Sequence, residues 1–319
     1  MPSNAPIVTK DVVKILGWPT DVVSIDFAKA RPPHTYLLFV PGNPGLVGWY
    51  IPALVSILQQ LGSGFAIRGV SYAGHGITEE TVHVEKYEQQ QEGSSKQQQE
   101  GSSKRNVQKP WTVNGQIDHK IAWIACIMEQ LQQQQQHNTR LIFLSHSIGA
   151  HMVQRILVLR KDWRDRTTAI LHWMPFIRMD APSGSQFVLD TAAHYPDVVI
   201  GIGQRLLQAT SRERMESLMK DMVPDKEGCE LAVNLVQHPT FVRNFFELGT
   251  EEIRDLPQLP DVSIYTNEKR HERGISHTNS HILLYRFQRF DYYRRVVYRP
   301  LFCIAATING FQNSTPMII

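Results

Sequence analysis

Cysteine is scarce in this chain of 319 residues: Cys126, Cys229 and Cys303 are the whole set. Three widely separated thiols make neither a disulfide framework nor a zinc site, which suits a reducing compartment. Excess charge is missing too, with 33 basic against 30 acidic residues. A net +3 makes no electrostatic case for nucleic acid, and no basic stripe interleaves with aromatics. No apolar run reaches about eighteen residues, so no bilayer-spanning helix is expected. The opening Met1-Pro2-Ser3-Asn4-Ala5 lacks a signal-peptide pattern. We expect no metal and no cofactor. A hydrophobic share of 42% supports a real core, and the length fits one large α/β domain with an insertion or two small domains.

What is present is an alternation of strand and helix patterns. Val22 to Phe27 alternates and reads as an edge strand; Tyr36 to Val40 reads as a buried one. Val47 to Leu61 has helical periodicity, Phe65 to Val70 is a third strand, and Gln116 to Gln133 is a helix with Ile117, Ile121, Ile124, Met128 and Leu131 on one stripe. A strand over Leu141 to Leu144, a helix over Ile148 to Arg160 and a strand over Ala169 to Met174 follow. Such alternation implies a mostly parallel central sheet flanked by helices. Two tracts interrupt it. Gln89 to Gln108 repeats Gln-Glu-Gly-Ser-Ser-Lys at Gln91 to Lys96 and Gln99 to Lys104, and has almost nothing to bury. From about Pro182 to Glu252 the pattern is mostly helical. That tract is a helical cap with apolar inner faces over a site, or simply helices packed on the core.

The densest chemical signal is Ser145-His146-Ser147-Ile148-Gly149, set between the strand ending at Leu144 and the helix that follows. A nucleophile elbow needs a serine at the apex of a sharp strand-to-helix turn, with small residues two before and two after it. Ser145 and Gly149 meet that need around Ser147, although Ser145 carries a Cβ where glycine is usual. The second signal is Pro41-Gly42-Asn43-Pro44-Gly45 after an early strand. An oxyanion site takes one N–H from the residue after the nucleophile and one from such a loop. Ile148 supplies the first. Pro44 has no N–H to give, so Asn43 is the natural second donor.

With Ser71-Tyr72-Ala73-Gly74-His75, Asn114-Gly115-Gln116-Ile117-Asp118-His119-Lys120, Met174-Pro175-Phe176-Ile177-Arg178-Met179 and His238-Pro239 to Asn244, these motifs occur in an order that resembles the lipid droplet-associated hydrolase family. The likeness covers roughly residues 36 to 265, apart from the low-complexity insert. It implies an α/β-hydrolase fold and a serine hydrolase of lipid esters, sterol esters among them. Its implied partners are the ester substrate and the lipid droplet monolayer, on the cytoplasmic face or in the cytosol. Matched to the family, Ser147 takes the nucleophile's place, Gly42, Asn43 and Gly45 the loop's, and Gln116 and His119 the helix motif's. His119 reads as a polar anchor under the sheet and His75 as a turn residue beside the pocket.

The resemblance fails where the rest of a triad belongs. The expected order is serine, acid, histidine. After the strand-like Val262-Ser263-Ile264-Tyr265 the family has a glycine, then an aspartate followed by tryptophan; here stand Thr266-Asn267-Glu268. Glu268 is the nearest carboxylate, with Asp180 as an alternative position. His277 and His281 are the imidazole candidates, against a plainer reading of both as solvated loop residues. No histidine follows His281. The organisation expected is a hydrolase core over 1–181 with the insert at 89–108, a cap over 182–252, core again over 253–267 and a divergent tail over 268–319. The carboxyl-terminal part of the fold is then incomplete, as a retained intron or shifted reading frame would leave it. An enzyme acting through an acyl-Ser147 intermediate is one reading. A catalytically silent droplet-surface protein that keeps the fold is the other.

Overall fold

The computed structural model describes residues 5–28, 32–75, 112–136, 138–175, 194–195, 197–198, 201–202, 205, 209–222, 226–236, 239–256 and 281–285. Among these residues there are seven strands: β1 (Pro6–Ile15), β2 (Trp18–Phe27), β3 (Thr35–Val40), β4 (Phe65–Val70), β5 (Arg140–His146), β6 (Thr167–Trp173) and β7 (His281–Tyr285). They form one sheet in the order β1-β2-β4-β3-β5-β6-β7. Only β2 runs against its neighbours, and every pair from β4 through β7 is parallel. This order, with a strand-to-helix elbow at the central β5, is the α/β-hydrolase fold.

The period-two pattern sorts β3–β6 onto two cores. Leu38, Val40, Phe143 and Ile170 pack with α2 (Val113–Gln133) and α3 (Gly149–Leu159) on one face. Leu37, Phe39, Ile142, Leu144 and Leu171 pack with Leu54, Ile57, Leu58 and Leu61 of α1 (Ile51–Leu61) on the other. A short α4 (Lys161–Arg166) leads into β6. After β6 come α5 (Arg212–Met222), α6 (Lys226–Val236) and α7 (Pro239–Asp255).

Several expectations need correcting. Val22 to Phe27 is not an edge: β2 starts at Trp18 and lies between β4 and β1. The strand β1 went unread because Thr9 to Lys14 are exposed on both faces and so show no alternation of apolar and polar residues. Leu16 and Gly17, at φ 50° and 88°, make the tight turn between the two. The helix expected from Val47 begins as a 3₁₀ turn over Val47–Tyr50, and α1 proper starts at Ile51, with Pro52 in its first turn, where a missing N–H costs nothing. The helix α2 starts at Val113, three residues earlier than the apolar stripe indicates, because the Thr112 side chain accepts from the Gly115 N–H and caps it. The last helix runs to Asp255, past the expected cap limit. The insert, the strand expected at Val262 to Tyr265 and the tail beyond Tyr285 lie outside the described residues.

Candidate functional site

The elbow is held from every side. Ser147 has φ 51°, the left-handed region that a non-glycine residue rarely enters. Its N–H donates to Trp173 O at 3.1 Å, and Ser147 O accepts from the Ala150 N–H at 3.0 Å. These bonds tie the apex to the end of β6 and to the first turn of α3. A Cβ on Gly149 would lie 2.5 Å from Pro41 O and 2.6 Å from Val40 O, so only glycine lets α3 sit this close to the end of β3. A Cβ on Gly42 would lie 2.7 Å from both Ser147 Cβ and His146 Nδ1. The loop after β3 and the elbow are thus in van der Waals contact through two glycines. Ser147 itself is half-buried, and among the described residues its hydroxyl has no hydrogen-bond partner.

Ser145 has its own reason to be there. Its register partner on β6 is His172, and Ser145 Oγ lies 2.6 Å from His172 Nδ1. A glycine would leave that buried ring nitrogen without this partner. His146 Nδ1 lies 2.9 Å from the Tyr50 hydroxyl, and its ring packs against Tyr50 and Trp173. Burial pulls both imidazoles down to a pKa of about 4, so both are neutral at neutral pH.

The Pro41–Gly45 loop closes on itself, the Gly45 N–H donating to Gly42 O at 2.6 Å. Gly45, at φ 78°, presses on the Tyr72 ring, and the Tyr72 hydroxyl donates to Pro41 O at 2.6 Å. His75 must donate from Nδ1 to Pro44 O (2.8 Å), because a carbonyl only accepts. Its Nε2 is, in the neutral ring, an unprotonated acceptor, buried and without a partner among the described residues. Burial lowers His75 to about 4, against the Pro44 bond that favours the cation, while the Lys120 charge lowers it further. The Asn43 side chain donates to Phe245 O of α7 at 3.2 Å, and Glu252 of the same helix is buried, which raises its carboxyl to about 8.

Beneath this loop, the motif on α2 forms one buried polar unit. Gln116 clasps the Ala73 peptide, accepting its N–H at 3.1 Å and donating to its carbonyl at 3.0 Å. Lys120 Nζ reaches Ser71 O (3.0 Å), Gln116 Oε1 (3.1 Å) and His119 Nδ1 (3.1 Å), under the Tyr72 ring at 4.6 Å. With Nδ1 accepting, His119 donates from Nε2 to Thr20 Oγ1 at 2.9 Å, and Thr20 donates to Trp18 O. Burial lowers both His119 and Lys120, and the Lys120 charge lowers His119 further. Helix α2 is thereby bonded to β2 and to the turn after β4.

The structure brings Ser147, Ile148 and the Asn43 loop to one edge of the sheet, the carboxyl ends of β3 and β5. Ile148 is the N-cap residue of α3, where main-chain N–H groups have no partner within the helix. The register does not bring His281 to them. His281 opens β7 opposite Ala169, whereas Tyr285 lies opposite Trp173. At about 3.3 Å per residue its main chain is roughly 13 Å from that edge. Glu268, His277 and Asp180 lie outside the described residues. Sequence reasoning missed Tyr50, Tyr72, His146 and Glu252. For Glu252 a signal existed: it continues the stripe Phe241, Phe245 and Leu248 of α7, where an acid is out of place. Among the described residues, no three His, Cys, Asp or Glu side chains are placed to hold a metal, and no helix is long and apolar enough to cross a membrane.

Comparison with known proteins adds what geometry cannot. Lipid droplet-associated hydrolase of Mus musculus is 25% identical over 146 residues, 46% of this chain and 39% of that one. The Homo sapiens protein of that name is 23% identical over 125 residues, 39% of this chain and 33% of that one. The chain thus spans well under half the length of the curated relatives it matches. Among solved structures, the haloalkane dehalogenase DatA of Agrobacterium tumefaciens C58 aligns at TM-score 0.49 and 14% identity, covering 78% of this chain and 68% of that one. The epoxide hydrolase CorEH aligns at TM-score 0.47 and 12% identity, covering 78% and 75%. The family described as lipid-droplet associated hydrolase matches residues 33–295, most of the chain, and the protein belongs to that family.

Proposed function

We propose that this protein is a serine hydrolase of lipid esters that works at the surface of lipid droplets. The carrying observation is Ser147 itself: a non-glycine residue in a left-handed conformation, half-buried, and packed against a loop able to offer a second oxyanion donor. Such strain persists only where the surrounding structure over-determines it, and it clusters at reactive sites. The names of the relatives supply the lipid droplet.

In the proposed reaction Ser147 Oγ forms a bond to the acyl carbon and passes its proton to an imidazole. The carbonyl oxygen becomes an oxyanion facing the Ile148 and Asn43 N–H groups, aided by the positive end of α3. The C–O bond to the alcohol then breaks, and the alcohol leaves with that proton. Water repeats the sequence on the acyl-serine and releases the acid. His277 is the imidazole of this reading and Glu268 its orienting carboxylate. The second reading is a silent droplet-surface protein that keeps the fold. Without a positioned base a serine loses orders of magnitude in reactivity.

A fluorophosphonate probe on the full chain, with Ser147→Ala as control, separates the two. Labelling lost in the variant supports the hydrolase; folded wild-type protein that stays unlabelled rejects it. Ester turnover by isolated droplets carrying the labelled protein then tests the substrate class.

A further inference from the structure

The hydrogen bonds of the Pro41–Gly45 loop fall into two sets. Pro41 O accepts from the Tyr72 hydroxyl and Gly45 O accepts from the Tyr72 N–H at 2.8 Å, so both ends of the loop are fastened to the turn after β4. The other two bonds run in series. His75 Nδ1 donates to Pro44 O at 2.8 Å, and the N–H of that same peptide, carried by Gly45, donates to Gly42 O at 2.6 Å. The peptides Pro44–Gly45 and Gly42–Asn43 are both trans, so in each the C=O and the N–H point in opposite directions. Drawing Gly42 O towards Gly45 therefore turns the Asn43 N–H the other way. Gly42 abuts the elbow, since a Cβ on it would lie 2.7 Å from Ser147 Cβ. A line of bonds thus runs from the His75 ring through two peptides and ends on the N–H assigned above to the acyl oxygen.

We propose that His75 is a positioning residue at the head of this relay: its Nδ1–H fixes the Pro44–Gly45 peptide, which fixes the Gly42–Asn43 peptide, which aims the Asn43 N–H at the oxyanion on Ser147. This deepens the Ser147 reading above and rests on it. His75 is fully buried and so acts through the loop rather than on substrate. Among the described residues Pro44 O is the ring's one hydrogen-bond partner, because Nε2 has none. Hydrogen bonds in series polarise one another, so the relay also makes the terminal N–H a stronger donor. The ring is held edge-on between Tyr72 at 5.7 Å and Phe241 of α7 at 6.0 Å. Helix α7 steadies its backbone too, with Asn244 Nδ2 donating to Gly74 O at 2.8 Å. Two further bonds keep that helix in place: Phe245 O takes the Asn43 side chain, and Glu251 Oε2 takes the Val113 N–H at 2.8 Å.

The test compares the full chain with His75→Asn and His75→Leu on a soluble ester, p-nitrophenyl butyrate. Asparagine places its Nδ2 where the imidazole carries Nδ1 and still donates to Pro44 O; leucine cannot. Both lose the ring's packing, so the difference between them isolates the bond. With native circular dichroism in each, leucine should lower kcat about tenfold or more and leave KM within about twofold, a part of what losing an oxyanion donor costs. Asparagine should recover most of that loss. If leucine does not fold, His75→Gln, whose amide falls on the Nε2 side, takes its place with the same expectation. Leucine as fast as wild type, or asparagine as slow as leucine, overturns the proposal. A second readout needs no turnover. Pro41–Gly42 and Pro44–Gly45 are the two prolyl-glycine peptides of the chain, so carbonyl-labelled carbon-13 proline with nitrogen-15 glycine displays their amides alone in NMR. The Gly45 amide proton should move upfield in the leucine variant and return in the asparagine variant; if neither signal moves, the relay is overturned. Wild type that shows neither turnover nor fluorophosphonate labelling sinks the Ser147 reading instead, and the Gly45 amide still decides the relay.

Discussion

Replacing Lys120 by methionine separates two views of a buried amine. The side chain is fully buried, and Nζ serves three acceptors: Ser71 O, Gln116 Oε1 and His119 Nδ1. Methionine fills a similar volume and donates to none. Gln116 Oε1 keeps the Ala73 N–H, so Ser71 O and His119 Nδ1 bear the loss. The His119 tautomer cannot simply reverse, because the Thr20 hydroxyl proton is committed to Trp18 O. Two buried acceptors stripped of a donor cost about 1–3 kcal/mol each, reduced by the desolvation that methionine no longer incurs. We expect a net loss of about 2–4 kcal/mol, read as a lower urea midpoint with an unchanged slope. Burial holds Lys120 below 10.5, so between its folded value and 10.5 the unfolded chain binds the extra proton. Wild-type stability relative to the variant should therefore rise with pH through that window. A methionine variant as stable as wild type would falsify this account and leave Lys120 a tolerated liability.

Other consequences are directly measurable. Gly149→Ala forces a Cβ against two backbone carbonyls and should cost about 1–3 kcal/mol, with a lower melting temperature and weaker probe labelling; an unchanged melting curve would contradict the close approach. Ser145→Gly restores the usual elbow residue yet removes the His172 partner, so it should destabilise by about 1–2 kcal/mol rather than help, as denaturation will show. Wild-type stability should rise from pH 4 to 6.5. Below that, His75, His146 and His172 stay neutral in the fold down to about 4 while the unfolded chain takes up protons from 6.5, so each forfeits roughly 3 kcal/mol as pH falls. Glu252 works the other way: it keeps its proton up to about 8 while the unfolded carboxyl loses its own near 4.5, so its contribution declines from pH 4.5 to 8, and Glu252→Gln should remove that decline. A flat profile from pH 4 to 6.5 would refute the histidine assignments.

The parts of this fold that repeat a local rule were legible from the residues alone. The buried strands Thr35–Val40 and Arg140–His146 carry continuous apolar runs, Tyr36 to Val40 and Leu141 to Leu144, as strands covered on both faces must, and the elbow between Leu144 and Gly149 carries its own spacing rule. Legibility ended where placement depends on distant partners. The strand β1 has no buried face to show in its pattern, and only pairing with β2 makes it a strand. Tyr72 and Lys120 look like an ordinary loop tyrosine and helix lysine until the chain folds one over the other. The histidine question turned on register: His281 has the flanking residues of a loop imidazole, yet strand pairing sets it at the amino end of β7.

The bonds from α7 to the reactive edge join residues 202, 170 and 138 positions apart in the chain. Such contacts pay their loop-closure entropy before they give anything back, and they form late. During synthesis the elbow and the Asn43 loop leave the ribosome well before α7 exists. At about 5–20 residues per second, the hundred or so residues between Ser147 and Asp255 take on the order of ten seconds. Through that interval Asn43 lacks Phe245 O, the acceptor of its side chain. The chain therefore makes its serine early and the means of aiming its loop late, and a nascent chain halted before α7 would carry the motif without its alignment.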